Sequence, residues 1–176
     1  GVQTCALPIL ILVDQDDRVV GAMEKLAAHR TGQLHRAFSV FVFNARDELL
    51  LQQRATDKYH SGGLWTNTCC SHPRPGEDTL AAARRRLFEE MGLTAELRPA
   101  FRFQYRAQLD HGLIEHELDH VFVGRTDDIP RIDPAEVAAY QYMPLPAIQS
   151  AIDRTPSDFT AWFRIIFAQF LHELCG

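Results

Sequence analysis

Trp65–Leu93 reads WTNTCCSHPRPGEDTLAAARRRLFEEMGL, and this stretch decides the architecture. Its first part, Trp65–Pro73, has the character of an extended segment. Residues two apart in a strand point to the same side, so Cys70 and His72 share a face while Cys69 faces away. Pro75-Gly76 then breaks the chain. A helix is predicted from about Asp78 to Met91: Leu80, Ala83, Leu87 and Met91 recur every three or four residues, and Gly92 closes it. A thiol beside an imidazole therefore runs into a helix bearing Arg85, Arg86, Glu89 and Glu90. Proton transfer, nucleophilic attack and metal ligation are all open to that pair.

Upstream, Ala37–Phe43 is dense in aromatic and β-branched residues and reads as a central strand, with Leu49–Arg54 as its hairpin partner across the turn Asn44–Glu48. Ile9–Val13 is a short apolar strand, and Val19–Ala28 leads into His29. Thr56–Leu64 is a polar, glycine-bearing loop. Downstream, Phe101, Phe103 and Tyr105 alternate with Arg102, Gln104 and Arg106, as in a strand with two unlike faces. Leu113–Arg125 is a second long strand and Tyr140–Met143 a short one. Thr155-Pro156 supplies an N-cap and a first-turn proline for a last helix, whose apolar stripe runs from Phe159 through Trp162, Phe163, Ile166, Phe167, Phe170 and Leu171 to Leu174. The class is α+β, a mixed sheet sandwiched by helices.

With 176 residues and a 46% hydrophobic share, the chain is one domain with room for a real core. A net charge of -5 argues against a nucleic-acid partner. No apolar run is long enough to span a bilayer, so no membrane partner is expected. Cys5, Cys69, Cys70 and Cys175 do not form a disulfide framework, and the expected location is a reducing cytoplasm, as a monomer. Gly1–Ile9 reads as a non-native, adapter-like leader, with residues 10–176 as the domain.

Several groups of residues can carry chemistry. Glu115 and Glu117 share one strand face, where two carboxylates repel unless a cation or a shared proton intervenes; a solvated strand face explains them equally well. His29, His35 and His72, added to two carboxylates, would make a mixed nitrogen/oxygen site suited to Mn, Fe or Zn and open to Mg. Scattered histidines are more often surface or core residues, which is the reading taken for His60, His111, His116, His120 and His172. Lys25, Arg54, Lys58 and Arg86 can clamp phosphate, although any one of them alone reads as a surface charge. Trp162, on an apolar stripe, reads as core or as a ring face against a cation.

Glu77, Arg85, Leu87, Glu89, Glu90, Gly92 and Leu93 fall on the spacing of the Nudix box, with Ser71 in place of its first glycine and Arg86 in place of a glutamate. Ordinary i,i+4 pairing of Arg85 with Glu89 and of Arg86 with Glu90 would also explain the charges. Together with Glu24-Lys25 to His29, His35–Ser39, Arg54 to Lys58, Trp65–Pro73 and the pair Glu115 and Glu117, the chain from about Ile9 to Trp162 resembles type I isopentenyl-diphosphate isomerase, a Nudix-fold family. The resemblance implies interconversion of isopentenyl and dimethylallyl diphosphate through a tertiary carbocation. It implies Cys70 and Glu117 as the acid/base pair. It implies a metal (Mn2+ or Mg2+, with Zn2+ possible) on His29, His35, His72, Glu115 and Glu117, and a Mg2+ carried by the diphosphate and met by Glu90. Lys25, Arg54, Lys58 and Arg86 become the diphosphate clamp, with Tyr105 and Trp162 as pocket aromatics and the last helix covering the site.

Two other readings stay open: a Nudix diphosphohydrolase working through helix carboxylates, and a prenyl-diphosphate- or metal-binding module without turnover. Adjacent Cys69 and Cys70 raise the expectation that oxidation to a vicinal disulfide inactivates the protein.

Overall fold

A computed structural model describes residues 7–175. Of the expected leader only residues 7–9 fall inside it, and Cys5 lies outside the described residues. In chain order the elements are β1 (Ile9–Val13), β2 (Val19–Glu24), α1 (Lys25–Thr31), β3 (His35–Phe43), β4 (Glu48–Arg54), β5 (Trp65–Thr66), β6 (Cys69–Ser71), α2 (Thr79–Met91), β7 (Leu97–Gln108), β8 (Ile114–Arg125), β9 (Val137–Pro144), α3 (Leu145–Arg154) and α4 (Ala161–Leu174). Among the described residues no helix is long and apolar enough to cross a membrane.

The mixed sheet is organised around β3. One edge of β3 runs parallel to β8 over its whole length, from His35 beside Glu117 to Phe43 beside Arg125. Three strands share the other edge in turn: β1 at His35, β6 at Phe38–Val40 and β4 at Phe43. β7 flanks β8, while β5 and β9 pair with β4.

The expected β3–β4 hairpin is therefore real only at its turn, with Phe43 opposite Leu49. Beyond it the strands splay, and residues Asn67–Ser71 enter the gap. The Thr68 hydroxyl accepts from Val42 N–H at 2.9 Å and donates to Leu50 C=O at 2.6 Å, while Asn67 Nδ2 donates to Val40 C=O at 3.1 Å. Two buried side chains thus satisfy backbone groups that the missing ladder would have paired.

Strand alternation divides the core in two. Phe38, Val40, Val42, Cys69 and Phe122 face α2, where Ala82, Ala83, Leu87 and Met91 meet them. Phe41, Phe43, Val121 and Val123 face the other way, under Ile148 and Ile152 of α3 and Trp162, Phe163, Ile166 and Phe167 of α4. The Asp78 carboxylate caps α2 by accepting from Ala81 N–H. Gly92 ends that helix at φ 62°, and a Cβ there would sit 2.7 Å from the Arg131 backbone.

The apolar stripe of α4 is as expected, but its start is not. Pro156–Asp158 forms only a single 3-10 turn, Phe159 returns to extended geometry at φ -118°, and the helix begins at Ala161. The buried Phe159 bridges to Trp65, and Thr160 N–H donates to Trp65 C=O at 3.0 Å, so tertiary pairing interrupts the local cap signal. Two short helices are not visible in the sequence pattern. α1 is held by its N-cap, the Glu24 carboxylate accepting from Leu26 and Ala27 N–H, and by Gly32 at φ 67°. α3 follows Pro144 and buries only Ile148 and Ile152.

Candidate active site

Where α1, β3, β6 and β8 come together beside α4, side chains enclose a cavity of about 590 Å³. Lys25, Arg54, Lys58, Cys70, His72, Arg86, Glu90, Glu115, Glu117 and Trp162 all line it. His29 and His35 stand just behind, both fully buried. Tyr105 is not on the wall; it is buried behind Glu117, to whose Oε2 it donates at 2.8 Å.

Parallel pairing sets Glu117 beside His35, and β6 delivers His72 from the opposite edge of β3. His29 comes from the last turn of α1. Ligating atoms of His29, His35, His72 and Glu117 lie within 4.8 Å of one another. His72 Nε2 is 2.9 Å and His35 Nε2 3.4 Å from Glu117 Oε1, and His29 Nε2 is 3.9 Å from Glu115 Oε1. The Nδ1 atoms of His29 and His35 are taken by the carbonyls of Lys25 and Gln33, at 2.8 and 2.9 Å, which turns Nε2 inward. Among the described residues, His35 Nε2 and Glu115 Oε2 are buried without a hydrogen-bond partner. Buried polar atoms without partners are costly, and imidazoles with carboxylates are a donor set for a divalent ion, so the residues fit a metal. The carboxyls also diverge: burial and then the charge of Glu117 push Glu115 up, while Glu117, despite burial, is held low by the nearby His35, by Glu115 and by Tyr105.

Cys70 is half-buried on the cavity side of β6, opposite Ser39 in register. Enclosure, opposed only partly by Arg54, pushes its thiol up to about 12. Cys69 is fully buried on the other face, beneath α2. In the extended strand the two sulfurs point to opposite faces, so a vicinal disulfide would require this segment to leave its present geometry. Both cysteines are free, as is Cys175.

The cations gather at one end. Burial, followed by Lys58 and Arg54, lowers the Lys25 ammonium, whose Nζ stands 4.9 Å from the Tyr59 ring centroid. Arg54 lies 5.4 Å over the Trp162 ring, and Trp162 Nε1 donates to Asn67 Oδ1 at 3.2 Å. Lys58 pairs with Glu136. Arg86 pairs with Glu90 at 2.6 Å and Glu89 at 2.7 Å. Among the described residues, Arg54 Nε and Arg86 Nε are buried donors without acceptors. Glu90 accepts from Arg86 at 2.6 Å and from Gln52 Nε2 at 3.0 Å. Glu77 is likewise held by Arg85 through two hydrogen bonds.

The sequence reading passed over several contributors. Asp119, fully buried, accepts from Ser39 Oγ at 2.7 Å, and the alternation that pairs Glu115 with Glu117 extends to it. His60, read as an ordinary surface or core residue, is buried on the cavity wall. Gln52 and Glu136 belong to no pattern that would have exposed them.

A family model for the NUDIX domain matches residues 33–163. Among solved structures, DR0079 from Deinococcus radiodurans superposes with a TM-score of 0.70 at 20% identity, over 83% of this chain and 89% of that one. A MutT protein from Methanosarcina mazei gives 0.67 at 20% identity, over 80% and 94%. At these identities the likeness is one of fold. Sequence relatives come much nearer. An isopentenyl-diphosphate Delta-isomerase of Pectobacterium atrosepticum is 59% identical over 91% of this chain and 89% of its own length. One of Burkholderia multivorans is 56% identical over 88% of each. With the thiol, the carboxylate pair and the histidines on one cavity of a NUDIX domain, the chain belongs to the isopentenyl-diphosphate Delta-isomerase family.

Proposed function

We propose that the chain interconverts isopentenyl and dimethylallyl diphosphate, adding a proton to one face of the alkene and removing one from the other, with Cys70 and Glu117 as the transferring groups. The observation that carries this reading is their placement on one cavity. Enclosure keeps the Cys70 thiol protonated, and the donors around Glu117 keep its carboxylate ionised. One group raised and one lowered suit an acid and a base acting on opposite faces of the alkene.

The cavity supplies the rest of the chemistry. Protonating an unactivated alkene creates a tertiary carbocation, and the Trp162 ring, which already faces the Arg54 guanidinium, offers it a π surface. Trp162 is the α4 residue that lines the cavity, and water there would trap the cation as an alcohol. Tyr105 fixes one oxygen of Glu117. Lys25, Arg54, Lys58 and Arg86 receive the diphosphate, whose oxygens accept from the unpartnered Arg54 and Arg86 Nε–H groups and replace Glu136 on Lys58. A divalent ion held by His29, His35, His72, Glu115 and Glu117, with Mn2+, Mg2+ and Zn2+ as candidates, offsets the repulsion of the two carboxylates and restrains Glu117. Glu90, which lines the cavity beside Arg86, would meet a Mg2+ carried by the diphosphate.

A diphosphohydrolase would need the α2 carboxylates free to hold metal against a diphosphate. Here Arg85 and Arg86 neutralise Glu77, Glu89 and Glu90, which disfavours that chemistry. Incubation with isopentenyl diphosphate and Mg2+ in heavy water separates the readings. Deuterium in dimethylallyl diphosphate without phosphate release is the expected result; phosphate release would replace the isomerase by the hydrolase, and unchanged substrate would leave only a binding module.

A further inference from the structure

We propose that His60 is a fourth imidazole donor at the metal centre, joining His29 and Glu115 around the ion. The inference rests on the reading of the His/Glu cluster as a metal centre given above.

Position is the first argument. A ring nitrogen of His60, one of His29 and a carboxylate oxygen of Glu115 lie within 4.8 Å of one another, the same spacing that unites His29, His35, His72 and Glu117. The two groups share His29. Glu115, in the second group, also interacts with Glu117 of the first, so the two groups adjoin. Glu115 is only 3% exposed, and its Oε2, without a hydrogen-bond partner among the described residues, needs a positive neighbour that a neutral imidazole alone does not supply.

The second argument is orientation. Imidazoles that bind metal usually give their other nitrogen to an oxygen, which fixes the tautomer and the ring plane. His29 and His35 do this through Nδ1, and His60 does the same, with Nδ1 3.1 Å from Ser61 Oγ. Its Nε2 is the nitrogen left to meet an ion. Edge contacts at 4.5 Å to Tyr59 and 6.2 Å to Trp162 hold the ring between them.

The third is the way the loop is built. His60 lies in a surface connection, where a polar ring would ordinarily turn to water, yet it is only 3% exposed. Ser61, which follows it, takes a left-handed φ of 54° although it is not glycine. Gly62 comes next, and a Cβ there would be 2.5 Å from the Thr56 carbonyl oxygen. Arg54 Nη2 donates to the His60 carbonyl, and Asp110 accepts from Ser61 N–H, both at 3.3 Å. A backbone this constrained around an inward-facing imidazole marks a position with a task.

The chemical consequence is a site of four nitrogens and two carboxylates. Mg2+ is hard and takes oxygen ligands, whereas imidazole suits Zn2+ and Fe2+. The test uses the full chain, stripped of metal and titrated with Zn2+ or Mg2+ against a chromophoric chelator. For His60→Phe and His60→Gln, Zn2+ affinity is expected to fall about 10–100-fold while Mg2+ affinity stays within about twofold. Zn2+ affinity at the wild-type level in both variants overturns the proposal, and if His72→Ala still loses Zn2+ the metal centre itself stands. If His72→Ala also binds Zn2+ like wild type, the reading of the cluster as a metal centre falls with it. A further measurement needs no substitution: proton NMR of the Co2+-loaded chain is expected to show four hyperfine-shifted imidazole N–H signals, and three would exclude His60.

Discussion

A one-residue difference separates two thiols with unrelated work. Cys70 lies on the cavity and Cys69 under α2, so their alanine variants should part cleanly. Cys70→Ala is expected to reduce turnover by about 10²–10⁴-fold, the usual contribution of a positioned proton-transfer group, with the melting temperature little changed. Cys69→Ala should keep turnover and lose about 1 kcal/mol of stability, seen as a lower melting temperature. Equal losses of turnover would undo the face assignment. Charge at single residues is equally specific. Two hydrogen bonds from Arg85 hold the Glu77 carboxyl below the usual carboxylate range. A depressed folded pKa contributes stability that is complete above the unfolded value of about 4.3 and is lost as pH falls through the folded one. Wild type should therefore exceed Glu77→Gln in urea stability at pH 7, and the gap should close below about pH 4. At this scale the thiol's side, the paired carboxylates and the histidines that cluster with them were legible, because period-2 alternation assigns a face without any knowledge of partners. His60 was not, since a loop residue has no period and its inward turn depends on the strained Ser61-Gly62 backbone.

Among the elements, the splayed β3 and β4 matter most. Thr68 takes both Val42 N–H and Leu50 C=O, so Thr68→Val would leave two buried backbone groups unpaired at about 1–3 kcal/mol each. A fall in melting temperature of several degrees is expected, with some loss of turnover because Thr68 lies two residues before Cys70; an unchanged melting curve would mean that water or a neighbour replaces the hydroxyl. Strands β3, β7 and β8, the helix α2 and the stripe of α4 announced themselves through period and caps. The hairpin and the start of α4 misled for one reason. Both are decided by tertiary partners, Asn67 and Thr68 in one case and Trp65 in the other, that local propensity does not see. The α2 helix shows the converse: the pairs Arg85–Glu89 and Arg86–Glu90 that an ordinary solvated helix would make are present.

For the whole molecule, metal and fold should be coupled. The histidines and carboxylates come from α1, β3, β8 and the residue after β6, and the unfolded chain does not hold them together. An ion present at about 100 times its dissociation constant adds about 2.7 kcal/mol, or about 5 °C or more in melting temperature. Chelator should remove that increment and added Zn2+ or Mn2+ restore it; a melting temperature indifferent to both would show that the cluster does not bind either ion in the folded state. Trp162 carries one last implication. It belongs to the core packed by α4 and also lines the cavity. One ring therefore serves both the packing of α4 and the shape of the cavity, so a smaller residue there would enlarge the cavity and loosen the core together.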